Sequence, residues 1–569
     1  MRNGASIALA IAVTLTLGAC GGGGGGSRPG SGQGGGPITP TTPSANVTVA
    51  VTSPAINASI AQGDPYNATV SGTWSATNLG SGAVYLQVSD SANTFTLPAI
   101  QAAPTNNAFS YSLPIAANIA SGERAGTITV RACKDAVCNS TYAGTSGSVG
   151  YRLAINDKVG DWETVQGNSS HNGYVGLTLD ATKFAKAWEW KTANNGGSNR
   201  DYLGSPATGD NGVYMRLRST IVRDGFQTTE DSFVAFNESD GSLRWKQPAF
   251  PNADTTTRYA TNLAYASGKL YFGTVRGTPA VALTALDSRS GGKVFASSSS
   301  LVSADGAVPT PFSGNIYMSG GATGGRTYFA FDGMSGQQLW NSASSPELEG
   351  TASRLPIAVA ADATHFYYYG KAGLHIADKQ TSSDIAVLAS ASTPENGFDT
   401  PIVTLGGRNN ALAYFYKFSS SSFQYESFIA SYNLTSRTLE WTTPLYYNAI
   451  PAVANGVIYA ARAENNQVSL HALSEATGQV LWTWSAPVSD AQFVVGNVVA
   501  TRNFVFFSAG GRTLGSGTTW AVDLGTRQAT WSFPAAGDKA ISANRMLYIA
   551  HPGGDIISND TKLVAIKLQ

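Results

Sequence analysis

The sequence predicts an all-β protein with two parts, an immunoglobulin-like sandwich at residues 46–156 and an eight-bladed β-propeller at residues 157–569. Short segments with period-two alternation predict the sandwich, and a repeat with a mean step of about 47 residues predicts the propeller. The composition fits both parts, since 42% of the residues are hydrophobic and only 13% are charged. Basic and acidic residues number 36 each, which argues against a nucleic-acid-binding protein because such proteins carry a basic excess.

Residues 1–19 are predicted to be a lipoprotein signal peptide. Arg2 provides a positive charge, and the apolar stretch that follows is too short to span a bilayer. The segment ends on Leu17-Gly-Ala-Cys20, which resembles a bacterial lipobox and implies acylation of Cys20. The alternative is an ordinary signal peptide with an incidental cysteine. Gly21 stands where an inner-membrane retention signal would often have Asp, so we expect the outer membrane, on its periplasmic or its surface side.

Residues 20–45 are predicted to be a linker that begins with the lipidated cysteine. Eleven of the sixteen residues at 21–36 are Gly, and 37–43 is rich in Pro. Such a composition cannot form a packed core and behaves as a flexible, then more extended, chain. We therefore expect a tether between the membrane anchor and the folded part.

The sandwich prediction depends on several short alternating segments separated by turn signals. The segments lie at 47–51, 68–74, 84–88, 109–113, 126–133 and 151–155. Cys133 and Cys138 follow the most regular of them. Two cysteines without a nearby His cannot complete a tetrahedral metal site, and a redox pair would need a Cys-x-x-Cys motif. A local disulfide is the favoured interpretation in an oxidising envelope.

The propeller prediction depends on a repeat that starts at positions 235, 285, 330, 376, 431, 472, 521 and 565. A small residue ends an apolar strand, an Asp or Asn lies two residues on, and a Ser, Thr or Asp lies five on. A Gly or polar residue lies six on, and an aromatic residue lies ten on. The clearest copy is Ala330, Asp332, Ser335, Gly336 and Trp340. The predicted docking residues are Trp245, Phe295, Trp340, Trp441, Trp482 and Trp531.

The spacing has a direct physical meaning. The small residue lets neighbouring blades approach, the polar side chains bond the next turn, and the aromatic ring is buried between blades. The copy at Ile376 lacks both the Gly and the Trp, and the copy at Ala565 ends before its outer strand. The segment at 185–190 contains a Trp without a preceding blade, so we expect it to complete the last blade and close the ring.

These units resemble the PQQ-type tryptophan-docking repeat, AxDxxTGxxxW, of quinoprotein dehydrogenases and of BamB-like outer-membrane assembly lipoproteins. Residues 162–174 also resemble the segment that leads into such propellers. The resemblance implies either a quinone site with Ca²⁺, an Asp base and, in the alcohol-oxidising branch, two adjacent Cys, or a non-enzymatic role in assembly. Residues 157–569 contain no Cys, so the cysteine pair is impossible.

No catalytic residue, cofactor or metal site is predicted. The five histidines, His171, His365, His375, His471 and His551, share no metal-ligand spacing. The aromatic runs at 366–369 and 446–447 would suit stacking on sugars, but the first coincides with an apolar inner strand, so we interpret such runs as core.

The favoured function is therefore a membrane-anchored binding or scaffolding platform with a protein or glycan partner, and outer-membrane protein assembly is one candidate process. We expect a monomer. Two alternatives stay open: a PQQ-dependent periplasmic dehydrogenase, and a surface adhesin or polysaccharide-binding protein.

The anchor is testable with Cys20→Ser. Without the thiol no acyl chain can be attached, and more than one chain is needed for stable anchoring. We expect the wild-type protein in the membrane fraction and the variant in the soluble envelope fraction on immunoblots. A variant that stays with the membrane would contradict the predicted lipidation.

Overall fold

The computed structural model describes residues 43–62, 64–117, 119, 121–156, 158–192, 201–223, 226–249, 259–275, 283–297, 307–322, 325–342, 358–370, 372–391, 402–419, 424–487, 493–510, 517–551 and 561–568. The predicted signal peptide, Cys20 and most of the predicted linker lie outside these residues. In the described part, no helix has the length and apolar character needed to cross a membrane.

The described residues confirm the prediction of an all-β protein. Strands alternate with turns and loops, and a 3₁₀ turn at Ala181–Lys183 is the one helical element among them. The chain divides into two compact units. The first takes its residues from 43–55, 67–113 and 126–150, and the second from 56–66, 114–125 and 151–569.

The strands before residue 157 are Asn46–Val51, Ile56–Ala61, Asn67–Thr77, Tyr85–Asp90, Gln101–Ala102, Ala108–Pro114, Gly122–Cys133 and Gly147–Asn156. In the first unit, Asn46–Val51 pairs antiparallel with Asn67–Thr77. Tyr85–Asp90 pairs antiparallel with the strand that ends at Cys133. Alternate residues are buried along these strands, as the period-two pattern requires. The immunoglobulin-like topology itself stays a prediction.

Cys133 and Cys138 form a disulfide in the structure. The short loop that they close is also held by Asp135, whose carboxylate accepts hydrogen bonds from the backbone N–H groups of Val137 and Asn139. These bonds lower the pKa of Asp135. The loop is therefore fixed by a covalent bond and by an Asx-type turn together.

The second unit contains eight four-stranded antiparallel sheets in its described residues, which we number 1–8. In each sheet the strands run in chain order from the first to the fourth, and sheet 8 takes its fourth strand from the beginning of the unit. Sheet 1 consists of Ala207–Gly209, Gly212–Arg223, Phe226–Asn237 and Leu243–Pro248; sheet 2 of Ala264–Ala266, Lys269–Phe272, Thr284–Asp287 and Lys293–Ala296; sheet 3 of Thr310–Phe312, Asn315–Ala322, Gly325–Asp332 and Gln338–Asn341; and sheet 4 of Ala360–Ala361, His365–Gly370, Gly373–Asp378 and Asp384–Ala389.

Sheet 5 consists of Val403–Leu405, Asn410–Ser419, Gln424–Asn433 and Thr438–Thr442; sheet 6 of Ala452–Ala454, Val457–Glu464, Gln467–Ser474 and Val480–Ser485; sheet 7 of Val499–Ala500, Phe504–Gly510, Gly517–Asp523 and Ala529–Phe533; and sheet 8 of Asp538–Ile541, Met546–His551, Lys562–Lys567 and Ala185–Lys191. Short strands at Tyr202–Leu203 and Phe493–Val494 extend sheets 1 and 7. Tyr259–Ala260 pairs with Thr274–Val275.

The sheets form a closed ring. A separate apolar cluster lies between each pair of neighbours, including sheets 8 and 1. In sheet 8 the strand Ala185–Lys191 pairs with Lys562–Lys567, and Trp188 lies opposite Ala565. Trp188 thus occupies the docking position that the last repeat copy lacks. Because the two ends of the unit share one sheet, the ring closes without an exposed gap.

One register repeats in every sheet. In sheets 1–7 the first residue of each copy lies opposite the residue ten positions on, as in Ala330 opposite Trp340, and a bulge follows immediately. In sheet 8 Trp188 takes the place of that residue opposite Ala565, and the bulge is present as well. The bulge accounts for the spacing, since two residues of the fourth strand there correspond to one of the third. The Asp two positions on binds the turn: Asp332 Oδ1 accepts from the N–H and hydroxyl of Ser335, both at 2.7 Å.

Four of the docking tryptophans donate a hydrogen bond to the turn of the next sheet. The indole N–H groups of Trp188, Trp245, Trp340 and Trp441 donate to the carbonyl oxygens of Glu238, Ser288, Lys379 and Glu475, each three positions into the next copy. The Gly of that copy lies on the ring face, so that a Cβ built on Gly478 would stand 2.5 Å from Trp441 Cε3. Gly is therefore needed for close approach as well as for its positive φ.

The exceptions are compensated locally. Phe295 has no N–H, and the hydroxyl of Tyr271 donates to the equivalent carbonyl, that of Gly333, at 2.8 Å. In sheet 4 the docking position is Ala386. There the buried pair Tyr369 and Tyr432 bridges sheets 4 and 5, with their hydroxyl oxygens 3.2 Å apart.

Gly478→Ala tests the close contact against Gly314→Ala. Both glycines have positive φ, but no atom lies within 4 Å of a Cβ built at Gly314. We expect Gly314→Ala to cost about 1–2 kcal/mol from backbone strain, and Gly478→Ala to cost about 1–3 kcal/mol more from the clash with Trp441. Urea unfolding measures both. Equal losses of unfolding free energy in the two variants would show that the contact between Gly478 and the Trp441 indole does not contribute to stability.

Candidate functional site

Residues 161–175, the axial segment, connect all parts of the ring. The segment folds back on itself: Gly167 N–H donates to Thr164 O at 2.9 Å, and Gly173 N–H donates to Gln166 O at 2.9 Å. Gly167 has a φ of +92°, and a Cβ there would press on the ring of Trp162 at 3.2 Å. Local turns thus produce a compact plug rather than an extended strand.

The axial segment bonds the first strands of the sheets in order around the ring. Backbone N–H groups at the inner ends of six sheets donate to carbonyl oxygens of the segment, and in sheet 3 a hydroxyl of the segment donates instead. The pairs are Thr208 to Trp162, Tyr265 to Glu163, Thr164 Oγ1 to Pro309, Ala361 to Ser169, Leu405 to Ser170, Val453 to Asn172 and Ala500 to Gly173, at 2.6–3.0 Å. Each of sheets 1–7 is therefore tied to the axis by a hydrogen bond.

Gln166 extends these bonds to sheet 8. Its buried amide Nε2 donates to Pro451 O at 2.7 Å and to Val498 O at 3.2 Å, and its Oε1 accepts from Asn497 Nδ2 at 2.6 Å. Asn497 Oδ1 in turn accepts from the backbone N–H of Lys539 at 2.7 Å. One side chain of the axial segment therefore joins sheets 6, 7 and 8.

His171 is a structural residue of the axial segment. It is fully buried; Nδ1 lies 2.7 Å from Val165 O, and Nε2 lies 2.9 Å from Val359 O and 3.1 Å from Thr310 Oγ1. Burial lowers the pKa of His171, which favours the neutral ring. Both ring nitrogens are occupied by neighbours of the chain itself, so His171 has no free position for a ligand.

Two carboxyl groups mark the beginning of the axial segment. Burial, and then the negative charge of Asp161, raise the pKa of Glu163 to about 7. Burial, and then the negative charges of Asp210 and Glu238, raise the pKa of Asp161. Glu163 can therefore exchange a proton near neutral pH. Among the described residues no group of three or more His, Cys, Asp or Glu could hold a metal ion.

Lys539 in sheet 8 is a buried amine that sequence reasoning missed. Its Nζ donates to Gly537 O at 2.8 Å and to Ser508 Oγ at 2.9 Å, and no carboxylate accepts from it in the described part of the chain. Burial lowers the pKa of Lys539 to about 7. A lysine beside a serine resembles a hydrolytic dyad in composition, but Ser508 is also fully buried and bonded to Thr519. The group therefore has no route to a substrate among the described residues.

The repeat resemblance allows a quinone site with Ca²⁺ and, in the alcohol-oxidising branch, two adjacent Cys. Residues 157–569 contain no Cys, and no carboxylate cluster for Ca²⁺ is found in the described ranges. The remaining histidines lie apart on different strands: His365 and His375 in sheet 4, His471 in sheet 6 and His551 in sheet 8. Their positions support no shared metal site.

The aromatic run at 366–369, which we interpret as core, lies in the core. Phe366, Tyr367, Tyr368 and Tyr369 are all buried in the second strand of sheet 4. Tyr447 is fully buried as well, and Tyr446 is half-buried. Neither run forms an open platform for sugar rings.

Exposed apolar side chains concentrate on the fourth strands. Of thirteen large apolar residues exposed in the described part, eight lie there: Leu243, Val294, Leu339, Ile385, Val387, Leu439, Val480 and Leu481. Each fourth strand ends the hydrogen-bonded order of its sheet in the described residues. The rim of the ring thus combines an unpaired backbone edge with apolar contact area.

The pH dependence of stability tests the environment of Lys539. With a folded pKa of about 7, against 10.5 for a free lysine, the unfolded chain binds a proton here between pH 7 and 9 that the folded chain does not. The free energy of unfolding should therefore rise with pH, by up to about 1.4 kcal/mol per unit. We expect Lys539→Met to remove this rise and the exposed Lys293→Met to keep it, in denaturant titrations at pH 7, 8 and 9. A rise of the same size in Lys539→Met would contradict the assignment.

Comparison with known proteins gives one family. The family model described as outer membrane protein assembly factor BamB matches residues 229–483 and 425–569. No curated protein matches the chain. Similar solved structures include BamB from Moraxella catarrhalis, with 14% identity over 68% of this chain and 99% of that chain and a TM-score of 0.44.

Two quinohemoprotein alcohol dehydrogenases are also similar. ADHIIG from Pseudomonas putida HK5 is 13% identical over 72% of this chain and 80% of its own, with a TM-score of 0.47. The enzyme from Comamonas testosteroni is 13% identical with the same coverage and a TM-score of 0.49. The two matches of the family model together span residues 229–569, which is more than half of the chain. The chain therefore belongs to the family of the outer membrane protein assembly factor BamB.

Proposed function

We propose that this protein is a non-enzymatic, protein-binding platform of the cell envelope that serves outer-membrane protein assembly. Membership of the BamB family supports the process. The anchor, a lipid on Cys20 that holds the chain at the outer membrane, follows from the lipobox-like sequence and the Gly-rich tether. The axial segment supports a binding platform over an enzyme, because residues 161–175 occupy the inner ends of the sheets with hydrogen bonds within the chain.

The observation that carries the proposal is the exposed rim of fourth strands. A strand edge with free N–H and C=O groups can accept an extended segment of a partner protein, with apolar side chains adding affinity. This mode recognises a polypeptide backbone, which a glycan lacks. The rim therefore favours a protein partner over the polysaccharide alternative.

The fourth strand of sheet 4 is the best candidate for the contact. Ile385 and Val387 are 40% and 46% exposed. In six other sheets the position that corresponds to Val387 is polar: Lys246, Asn341, Thr442, Thr483, Ser532 and Glu189. Two exposed apolar side chains, two positions apart, occur at this edge, where no docking Trp is present.

Site-specific photocrosslinking in living cells tests the proposal. A photoreactive residue at Val387 should give a discrete adduct with an envelope protein, while the same residue at Lys246, at the corresponding position of sheet 1, should not. Val387→Lys, which places a charge on the edge, should reduce the adduct formed from a neighbouring reporter at Ile385 by about ten-fold if the contact contributes about 1.4 kcal/mol.

Equal crosslinking at Val387 and Lys246, or none at either, would contradict the strand-edge contact.

Thermal unfolding of the full chain with and without PQQ and Ca²⁺ tests the enzymatic alternative. A ligand at about 100 times its Kd stabilises the folded state by about 2.7 kcal/mol, so a saturable shift would favour a quinone-dependent dehydrogenase.

A further inference from the structure

A buried polar cluster lies between sheets 5 and 6. Arg462 belongs to the second strand of sheet 6, His471 to its third, and Tyr447 to the segment before its first strand. Tyr447 shares an apolar cluster with residues of both sheets, such as Tyr414 and Leu473. The polar groups therefore lie on the side of sheet 6 that faces sheet 5.

The three side chains are neighbours. Arg462 lies directly opposite Ser469 in the sheet, and Ser469 Oγ lies 3.0 Å from His471 Nε2. The rings of Tyr447 and His471 meet edge to face, with centroids 5.7 Å apart. The guanidinium of Arg462 stacks on the ring of Tyr446 at 4.9 Å, which fixes its plane.

One polar atom of each side chain is buried without a hydrogen-bond partner. These atoms are Tyr447 Oη, Arg462 Nε and His471 Nδ1, and none has a partner among the described residues. Buried polar groups in folded proteins are nearly always paired, and an unpaired one opposes folding. Three such atoms in one cleft indicate that a group from outside the chain completes their hydrogen bonds.

The three atoms together require an acceptor. Arg462 Nε–H can only donate, and the Tyr447 hydroxyl can donate. His471 Nδ1 carries the proton when Nε2 accepts from the Ser469 hydroxyl. Burial raises the pKa of Tyr447 to about 12, so its hydroxyl keeps its proton. Burial, and then the positive Arg462, lower the pKa of His471, so its ring is neutral.

The charge balance selects the kind of acceptor. Arg462 Nη2 already donates to Glu464 Oε1 at 2.7 Å, so the described side chains of the site provide one fixed cation that is partly neutralised. A dianion such as phosphate would bring more negative charge than the site can match. A carboxylate has one charge and two oxygen atoms that accept several hydrogen bonds in a plane.

We propose that the cleft between sheets 5 and 6 binds a carboxylate group, with Arg462 Nε, Tyr447 Oη and His471 Nδ1 as its donors. The Arg462 side chain is 13% exposed and that of Glu464 46%, whereas Tyr447 is fully buried. All three donor atoms are closed off from solvent, so a ligand reaches them only when the Arg462 side chain moves aside. The carboxylate belongs to a small organic acid or to the end of a peptide. The site does not depend on the strand-edge contact of sheet 4.

Calorimetric titration of the full detergent-solubilised chain tests the site. The probes are acetate, N-acetylglycine and the peptide N-acetyl-Gly-Ala, with N-acetylglycinamide as the uncharged match of N-acetylglycine and inorganic phosphate as a second anion. We expect saturable binding of at least one carboxylate and none of the amide or of phosphate. Preference for acetate would identify a small-acid site, and preference for N-acetyl-Gly-Ala a peptide-terminus site.

Tyr447→Phe removes one donor without changing shape, and Tyr459→Phe is its control because Tyr459 lies on the opposite side of sheet 6, towards sheet 7. We expect Tyr447→Phe to weaken carboxylate binding about ten-fold, the effect of one hydrogen bond to a charged group. Tyr459→Phe should leave it unchanged. Without ligand, Tyr447→Phe should unfold at a higher temperature than the wild type, since an unpaired buried hydroxyl is lost.

Three results would overturn the proposal. Absence of carboxylate binding, together with a lower unfolding temperature of Tyr447→Phe, would mean that buried water alone satisfies the cluster. Two further results would contradict the site: equal binding of N-acetylglycinamide and N-acetylglycine, or equal loss of affinity in Tyr447→Phe and Tyr459→Phe. Either would mean that the three donors do not recognise the negative charge of a carboxylate. Crosslinking from Val387 should be the same in the wild type and in Tyr447→Phe. The carboxylate site and the strand-edge contact are therefore tested independently of each other.

Discussion

The closed circle of sheets depends on one contact, which joins the docking side chain of one sheet to the turn of the next. An indole N–H bonds a carbonyl three positions into the next copy, and the glycine of that copy lies on the ring face. Each contact joins a pair of sheets that could not bury their apolar faces alone. Sheets 8 and 1 use the same contact through Trp188, so the ring closes in the way that several of its other sheets are joined. Sheets 4 and 5 lack a docking ring and are bridged by Tyr369 and Tyr432 instead.

The axial segment adds a second constraint. Docking rings join neighbouring sheets, whereas residues 161–175 bond the first strand of one sheet after another. Gln166 alone joins sheets 6, 7 and 8. A ring fixed both between neighbours and to its axis changes shape little, so recognition falls to the strand edges and to clefts between sheets.

The repeat predicted these docking contacts because their residues lie within one copy at fixed spacing. It predicted that Trp340 docks against the next blade and that the strand at 185–190 completes the last sheet, and the structure has both features. It did not reveal that Tyr271 replaces the missing indole N–H beside Phe295, since that bond joins residues 62 positions apart. Lys539, and the cleft of Tyr447, Arg462 and His471, were missed for the same reason: each residue is unremarkable alone, and only the fold brings the partners together.

Sheet 4 shows how a deviation from the repeat can serve binding. Ala386 replaces the docking ring, and the loss is offset by Tyr369 and Tyr432, whose hydroxyls bond each other between sheets 4 and 5. The fourth strand of sheet 4 still contributes to that interface, because Leu388 packs in the apolar cluster between sheets 4 and 5 and Ala389 O accepts from the Tyr432 hydroxyl. It carries no docking ring, however, and it leaves Ile385 and Val387 exposed. A fourth strand without a docking ring can be the one that accepts a partner, because a partner at its edge displaces no such ring.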